Sequence, residues 1–182
     1  MDAIELLLTR QSSPRLVAPA PNAEQLNTIL SAAIRVPDHA GLNPWEFIVA
    51  SGDGLAKLGQ LFVNASAAEG SDESTQAKMA NMPQRAPMVI TVVAKVVEHA
   101  KVPALEQHLA VGCACMAMQQ AAFALGLGGI WRTGGLAFNR VLHKDLGLRD
   151  NDQIIGFLYL GTPAVTAPIK PTKLVTDVVR YL

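Results

Sequence analysis

Apolar residues at helical spacing open the chain. Ile4, Leu7 and Leu8 share a face, which predicts a short amphipathic helix over residues 2–9. A second helix is predicted up to about Val36. Asn22 is its N-cap, Gln25 stands at N3, Leu26, Leu30, Ala33 and Ile34 form its buried face, and Pro37 ends it. Residues 45–50 read as a strand and 54–70 as a helix that turns small and polar. The stretch 71–85 is polar, lacks a firm apolar period and runs into Pro83 and Pro87. It reads as a surface excursion with some helix, of the kind that can cover a site. Residues 88–94 form a continuous, largely β-branched run, the signature of a strand buried on both faces. A helix over 139–146 ends at Gly147, and a strand over 152–161 is closed by Thr162 and Pro163. The tail carries no core of its own over 166–172, yet it ends in Val175, Val178, Val179 and Tyr181. An apolar end after an extended linker suggests docking on a distant surface, such as a partner subunit.

The strongest pattern spans residues 105–132. Its first two thirds are rich in Ala, Met and Leu, which are good helix formers, and carry almost no charge after Glu106. A helix apolar nearly all round is expected to be buried all round. Gly112, Ala114, Ala117 and Ala121 would admit another helix closely, and Gly126 supplies the left-handed cap that stops it. Residues 128–132 then read as a short strand ending in Arg132. This handover is either a cofactor-site scaffold or a plain core helix followed by a strand.

Composition narrows the possibilities. The 182 residues suit a single domain over 1–182. Only 16% of residues are charged against 50% hydrophobic, so either the core is large or another chain covers part of the surface. Net charge is zero and no basic stripe is visible, which argues against nucleic acid. Cys113 and Cys115 would point to nearly opposite helix faces and so stay unpaired, which fits a reducing, cytoplasmic setting. The N-terminus carries Asp2 and Glu5 and lacks the basic region of a signal peptide. His108, Gln119 and Gln120 interrupt the apolar helix, so no membrane span is expected.

Two stretches carry candidate chemistry. Residues 10–16 hold Arg10, Arg15, Ser12 and Ser13 around Pro14. Guanidinium forks and hydroxyls suit phosphate oxygens, and the alternative is a solvated loop. Residues 37–47 form a loop between two prolines with His39 at its centre. It reads either as a functional loop or as a helix-terminating loop in which His39 caps carbonyls. The four histidines are scattered without metal-ligand spacing. There is no nucleophile elbow and no P-loop. The Gly-rich run 124–129 follows a helix rather than a strand, which excludes a Rossmann fingerprint. Arginines, hydroxyls and Gly loops without an evident acid, base or nucleophile fit an enzyme whose chemistry resides in a bound organic cofactor.

Five stretches in order resemble the nitroreductase family of FMN-dependent oxidoreductases, over the whole chain. Arg10-Gln11-Ser12 resembles its opening Arg-x-Ser, and residues 37–45 resemble its Pro-Trp loop. Ala121, Ala122 and residues 124–128 resemble its helix ending in Ala-x-Gly-Leu-Gly. Residues 155–161 resemble its late Gly-x-Leu-x-Leu-Gly strand, and Lys170-Pro171 with Val178-Val179 resembles its ending. The short length looks most like the small bacterial NAD(P)H nitroreductase branch.

The resemblance implies an α+β fold with a mainly antiparallel sheet between helices. It also implies an intertwined homodimer with FMN at the interface and the C-terminal segment extended onto the partner. Carried over by residue, Arg10 and Ser12 would hold the FMN phosphate and ribityl chain, with Gln11 between them. Arg35 and His39 would reach the flavin from the partner subunit, while Trp131, Arg132 and Thr133 would line it from the Gly-rich segment. Ala121, Ala122, Phe123, Ala124, Leu125 and Gly126 would lie near NADPH or NADH. The chain departs from the family pattern at Asp38, Gly41 and Pro14, and the last of these leaves the place of Arg15 open. The implied activity passes two electrons from NAD(P)H through flavin N5 to a nitroaromatic, quinone or related acceptor by a ping-pong mechanism. The alternatives are a flavin-binding or sequestering protein with little turnover, and a dehalogenase or flavin-fragmenting relative, which the short chain argues against.

Overall fold

Met88–Ala94 forms β3, and every one of its seven side chains is buried. A continuous apolar run can sit only where helices cover both faces of a sheet, and the remaining elements supply that cover. The computed structural model describes residues 2–165, 168–171 and 174–182. The order is α1 (Ala3–Thr9), β1 (Leu16–Val17), α2 (Ala23–Ala33), β2 (Trp45–Ser51), α3 (Asp53–Ala68), α4 (Glu73–Asn81), β3, α5 (Ala104–Ala124), β4 (Gly128–Arg132), α6 (Arg140–Asp145) and β5 (Gln153–Pro163).

All strand pairs are antiparallel. β5 is the hub of the sheet. β3 lies along one of its edges and carries β2 on its far side. β4 pairs with β5 from Gly128 opposite Gly161 to Arg132 opposite Phe157. β1 continues the pairing at Leu16–Pro163 and Val17–Thr162. β4 overlaps the part of β5 already paired with β3, so it must use the other edge, and β1 follows it end to end. This places the Arg10–Arg15 segment at the start of β4.

Two cores result. One packs Ile29 and Ala33 of α2 and Val111, Ala114, Cys115 and Met118 of α5 on one sheet face. The other packs Leu58 and Phe62 of α3 and Leu142 of α6 on the opposite face, with Phe62 edge-on to Phe157 at 5.1 Å. The caps follow the sequence: Asn22 and Gln25 form a reciprocal capping box on α2, and Gly126 closes α5 at φ 76°.

Three expectations change. α2 ends at Ala33, and Ile34 becomes its C-cap and stands 53% exposed, whereas Ile29 is fully buried. Once the helix stops, Ile34 no longer follows the 3.6-residue spacing that put it on the inner face. α5 is not buried all round: Leu105, Leu109 and Cys113 lie on an exposed stripe at four-residue spacing. The 71–85 excursion, expected to hold only some helix, is helical over most of its length. Asp72 caps α4 through Thr75 at 2.8 Å, and α4 packs on α3.

Candidate functional site

Arg10–Leu6 hydrogen bonding ends α1, and the chain then runs along the start of β4. Ser13 N–H donates to the Gly129 carbonyl at 3.0 Å, and Ala164 N–H donates to the Arg15 carbonyl at 3.1 Å. The segment is therefore pinned by backbone bonds on two sides, with its side chains turned elsewhere. Gly128 makes this approach possible. A Cβ there would stand 2.6 Å from Leu16 Cδ2 and 2.9 Å from Ser13 Cβ.

Beside this segment lies a cavity of about 520 Å³, within the range of cofactor and small-molecule sites. Gln11, Ser12, Ser13 and Arg15 supply polar groups, and Glu5 adds one carboxylate. Phe123, Leu127, Val165 and Ile169 form apolar walls. Gln11 also reads the tail: its Nε2 donates to the Pro168 carbonyl at 3.0 Å, and Lys170 N–H donates to its Oε1 at 3.3 Å. The tail therefore forms part of the cavity's rim.

The far end of β4 is built differently. Trp131 Nε1 donates to the Ile155 carbonyl at 3.2 Å, which fixes the indole against α5 near Gly112. The Arg132 guanidinium stacks over Tyr159 at 5.8 Å, and its Nε is buried with no hydrogen-bond partner, as is the Tyr159 hydroxyl. Burial pushes the Tyr159 phenol up, against the opposing pull of Arg132 and Arg85. Thr133 follows, exposed.

The third piece is the loop after α2. His39 opens a one-turn helix, His39–Gly41, in which Ala40 stands at φ 64°. Asn43, at φ 48°, closes the loop: its N–H donates to Asp38 Oδ2 at 2.7 Å and its Nδ2 to the Gly41 carbonyl at 2.8 Å. His39 Nδ1 lies 2.6 Å from Glu106 Oε2 on the first turn of α5. Arg35 is exposed at the end of α2.

Compared with known proteins, this sequence matches the Nitroreductase family over residues 7–162. The chain belongs to the Nitroreductase family. It is 48% identical over 181 residues to the Escherichia coli K12 protein named "Putative NAD(P)H nitroreductase YdjA", covering 97% of this chain and 99% of that one. Among solved structures it is similar to a nitroreductase-like family protein from Bacillus cereus. The TM-score is 0.87 at 22% identity, over 100% of this chain and 96% of that chain. It is also similar to a "putative nitroreductase in complex with fmn" from Desulfovibrio desulfuricans, with TM-score 0.79 at 20% identity, over 100% and 98% of the two chains. These structural likenesses establish the nitroreductase-like α+β fold.

For a nitroreductase-family chain, the predicted site residues fall into three groups. Gln11, Ser12, Phe123 and Gly126 meet at the cavity, and so does Arg15, whose place the sequence leaves open. Arg10 caps α1 one residue earlier and is not among the lining residues. Trp131, Arg132 and Thr133 lie at the other end of β4. Arg35 and His39 lie apart from both groups within one chain. Of the helix end predicted near a nicotinamide cofactor, Ala122 is fully buried, Ala121 packs into the core, and Ala124 and Leu125 are exposed without lining the cavity. Ser13, one of the hydroxyls singled out around Pro14, also lines the cavity, whereas sequence reasoning missed Glu5, Leu127 and Ile169 as lining residues and Glu106 as the partner of His39. Glu106 had a local signal: a glutamate at N3 behind Pro103.

Proposed function

We propose that this protein is an FMN-dependent oxidoreductase that takes electrons from NADPH or NADH and passes them to a nitroaromatic, quinone or related acceptor by a ping-pong mechanism. The observation that carries the reading is the arrangement along β4. A phosphate-suited cradle of Ser12, Ser13 and Arg15 sits at its start and the buried, unpartnered Arg132 Nε at its end. Five strand residues span about 14 Å between first and last, a length that one elongated anionic ligand would bridge. The residues fit FMN: hydroxyls, an amide and a guanidinium at one end, apolar walls, and a guanidinium at the other.

When bound, FMN supplies hydride acceptance and release at its N5. Arg15 would neutralise the phosphate, aided by Arg10 at the end of α1, while Ser12 would direct its hydroxyl to the ribityl chain and Gln11, whose amide holds the tail, would keep the rim in place. Arg132 supplies fixed positive charge, which favours a ring that gains electrons. Phe123, Leu127 and Ile169 keep water from the walls. Trp131 has its N–H committed to Ile155, so its part is apolar packing. Of the proposed nicotinamide contacts, Phe123 and Gly126 remain the ones with access.

The site is completed by a second copy of the chain, which brings Arg35 and His39. Support comes from apolar side chains left on the surface. Ile4, Leu7 and Leu8 on α1, Leu105 and Leu109 on α5, and Val175, Val178 and Tyr181 in the tail are each more than half exposed. Whether the tail crosses to the partner rests partly on residues 166, 167, 172 and 173, which lie outside the described residues.

The phosphate assignment is tested by FMN titration of Arg15→Ala and Arg10→Ala. Each lost charge-assisted pair is worth about 2 kcal/mol, or roughly 30-fold in Kd. Wild-type FMN affinity in both variants sinks the assignment. A flavin-storing protein without turnover would bind FMN equally well, and NAD(P)H oxidation kinetics separate the two: parallel double-reciprocal lines support ping-pong transfer.

A further inference from the structure

A glutamate at N3 of a helix usually reaches back to the N-cap N–H. On α5 the N-cap is Pro103, which has no N–H, so that role does not exist for Glu106. Its carboxylate instead meets His39 Nδ1 at 2.6 Å, from a loop 67 residues away in sequence. The loop itself is held in an unfavourable shape. Ala40 and Asn43 both take left-handed backbone angles, which a residue with a Cβ adopts only against steric strain. Asp38 and Asn43 lock that shape through the two hydrogen bonds already described. Such locally strained loops persist where a side chain must be presented in one place. The His39 side chain is about half exposed, and among the described residues its other ring nitrogen has no partner.

We propose that Glu106 is a positioning residue for His39. By accepting the Nδ1 proton, it holds the imidazole in the tautomer whose Nε2 presents a lone pair outward. His39 then accepts a hydrogen bond from a donor on the cofactor, of which FMN offers the ring N3–H and the ribityl hydroxyls. The pair belongs to one chain, so it arrives intact at the site of the other subunit. Fixing one ring nitrogen with a carboxylate so that the second has a defined role is a general use of histidine. This inference rests on the FMN reading for the ligand, but its first readout does not depend on it.

The test uses the full chain. ¹⁵N-edited NMR of the imidazole at pH 8 reports the tautomer without FMN, and FMN titration reports affinity. Wild type is expected to show the proton on Nδ1. Glu106→Ala is expected to shift the ring toward the Nε2–H form and to weaken FMN binding roughly tenfold. Glu106→Gln, which keeps an acceptor oxygen, should stay within about threefold of wild type. In a His39→Ala background, Glu106→Ala should cost nothing more, because the two act as a unit. An Nε2–H or doubly protonated ring in the wild type overturns the proposal. So does a tautomer unmoved by Glu106→Ala, or an equal loss of FMN affinity with and without His39. If wild type takes up no FMN, the flavin reading fails, and the tautomer measurement alone decides the role of Glu106.

Discussion

Asp152 shows how single residues hold the frame on which the site is built. It is 1% exposed, yet it receives Lys95 Nζ at 2.6 Å and Arg149 at 2.8 Å. Burial alone would raise its carboxyl. The hydrogen bonds from Arg149 and Lys95 outweigh burial and bring it from 3.8 to about 2. A carboxyl depressed in the folded state contributes stability that is complete above its unfolded value and is lost as pH falls through the folded one. The contribution is about 2 kcal/mol, present above about pH 4 and fading toward pH 2. Asp152→Asn should therefore lower stability at pH 7, with the gap to wild type closing near pH 2. Denaturant unfolding at both pH values checks this, and a gap of the same size at pH 2 contradicts it. Cys115 is the opposite case, since burial pushes its thiol up to about 12 and leaves it an unreactive core group. At this scale the sequence disclosed what is local: Asn22 and Gln25 as a capping box, Gly126 as a helix stop, and two cysteines on opposite helix faces that stay unpaired, although the exposure of Cys113 was not legible. The His39–Glu106 pair was not legible, because no periodicity links residues so far apart. The approach of Arg15, rather than Arg10, to the cavity depends on how Ser13 docks on Gly129.

At the scale of elements, α5 carries the strongest pattern in the sequence, and it links α1, α2 and the sheet. Its apolar pattern runs all round the helix, but one subunit covers only part of it. Val111, Ala114, Cys115 and Met118 are buried within one subunit, while Leu105 and Leu109 stand 66% and 60% exposed. Pattern alone cannot separate core from interface, because both are apolar for the same reason. On the proposed dimer, a second copy would sit on this stripe and cover it. Leu109→Glu should then abolish the dimer, as a carboxylate would be desolvated without a partner. Light scattering should give twice the 19.3 kDa chain mass for wild type and a single mass for the variant. A wild type already monomeric contradicts the account of the stripe. The strands were easier. The β-branched run of β3 and the apolar run of β5 fix them as central, because no other place buries both faces. The pairing of β4 and β1 end to end on β5 is tertiary information, and it is what brings residues 11–15 to the start of β4.

For the whole molecule, the low charge share and the exposed apolar tail point the same way. Among the described residues no helix is long and apolar enough to cross a membrane. The apolar excess goes into the two cores and the cavity walls, and on the proposed reading the exposed part is what a partner chain would cover. The fold has helices on both sheet faces and a polar cradle with apolar walls beside β4. Such an arrangement suits binding and orienting a group that carries the reaction, and on the proposed reading that group is FMN. The most direct test is an absorbance spectrum of the purified protein reconstituted with FMN, followed by NADPH or NADH without air. The account predicts a bound flavin spectrum whose yellow band bleaches on addition of the nucleotide and returns when a nitroaromatic or quinone is added. A protein that takes up no FMN, or a bound flavin that stays yellow with both nucleotides, would contradict it.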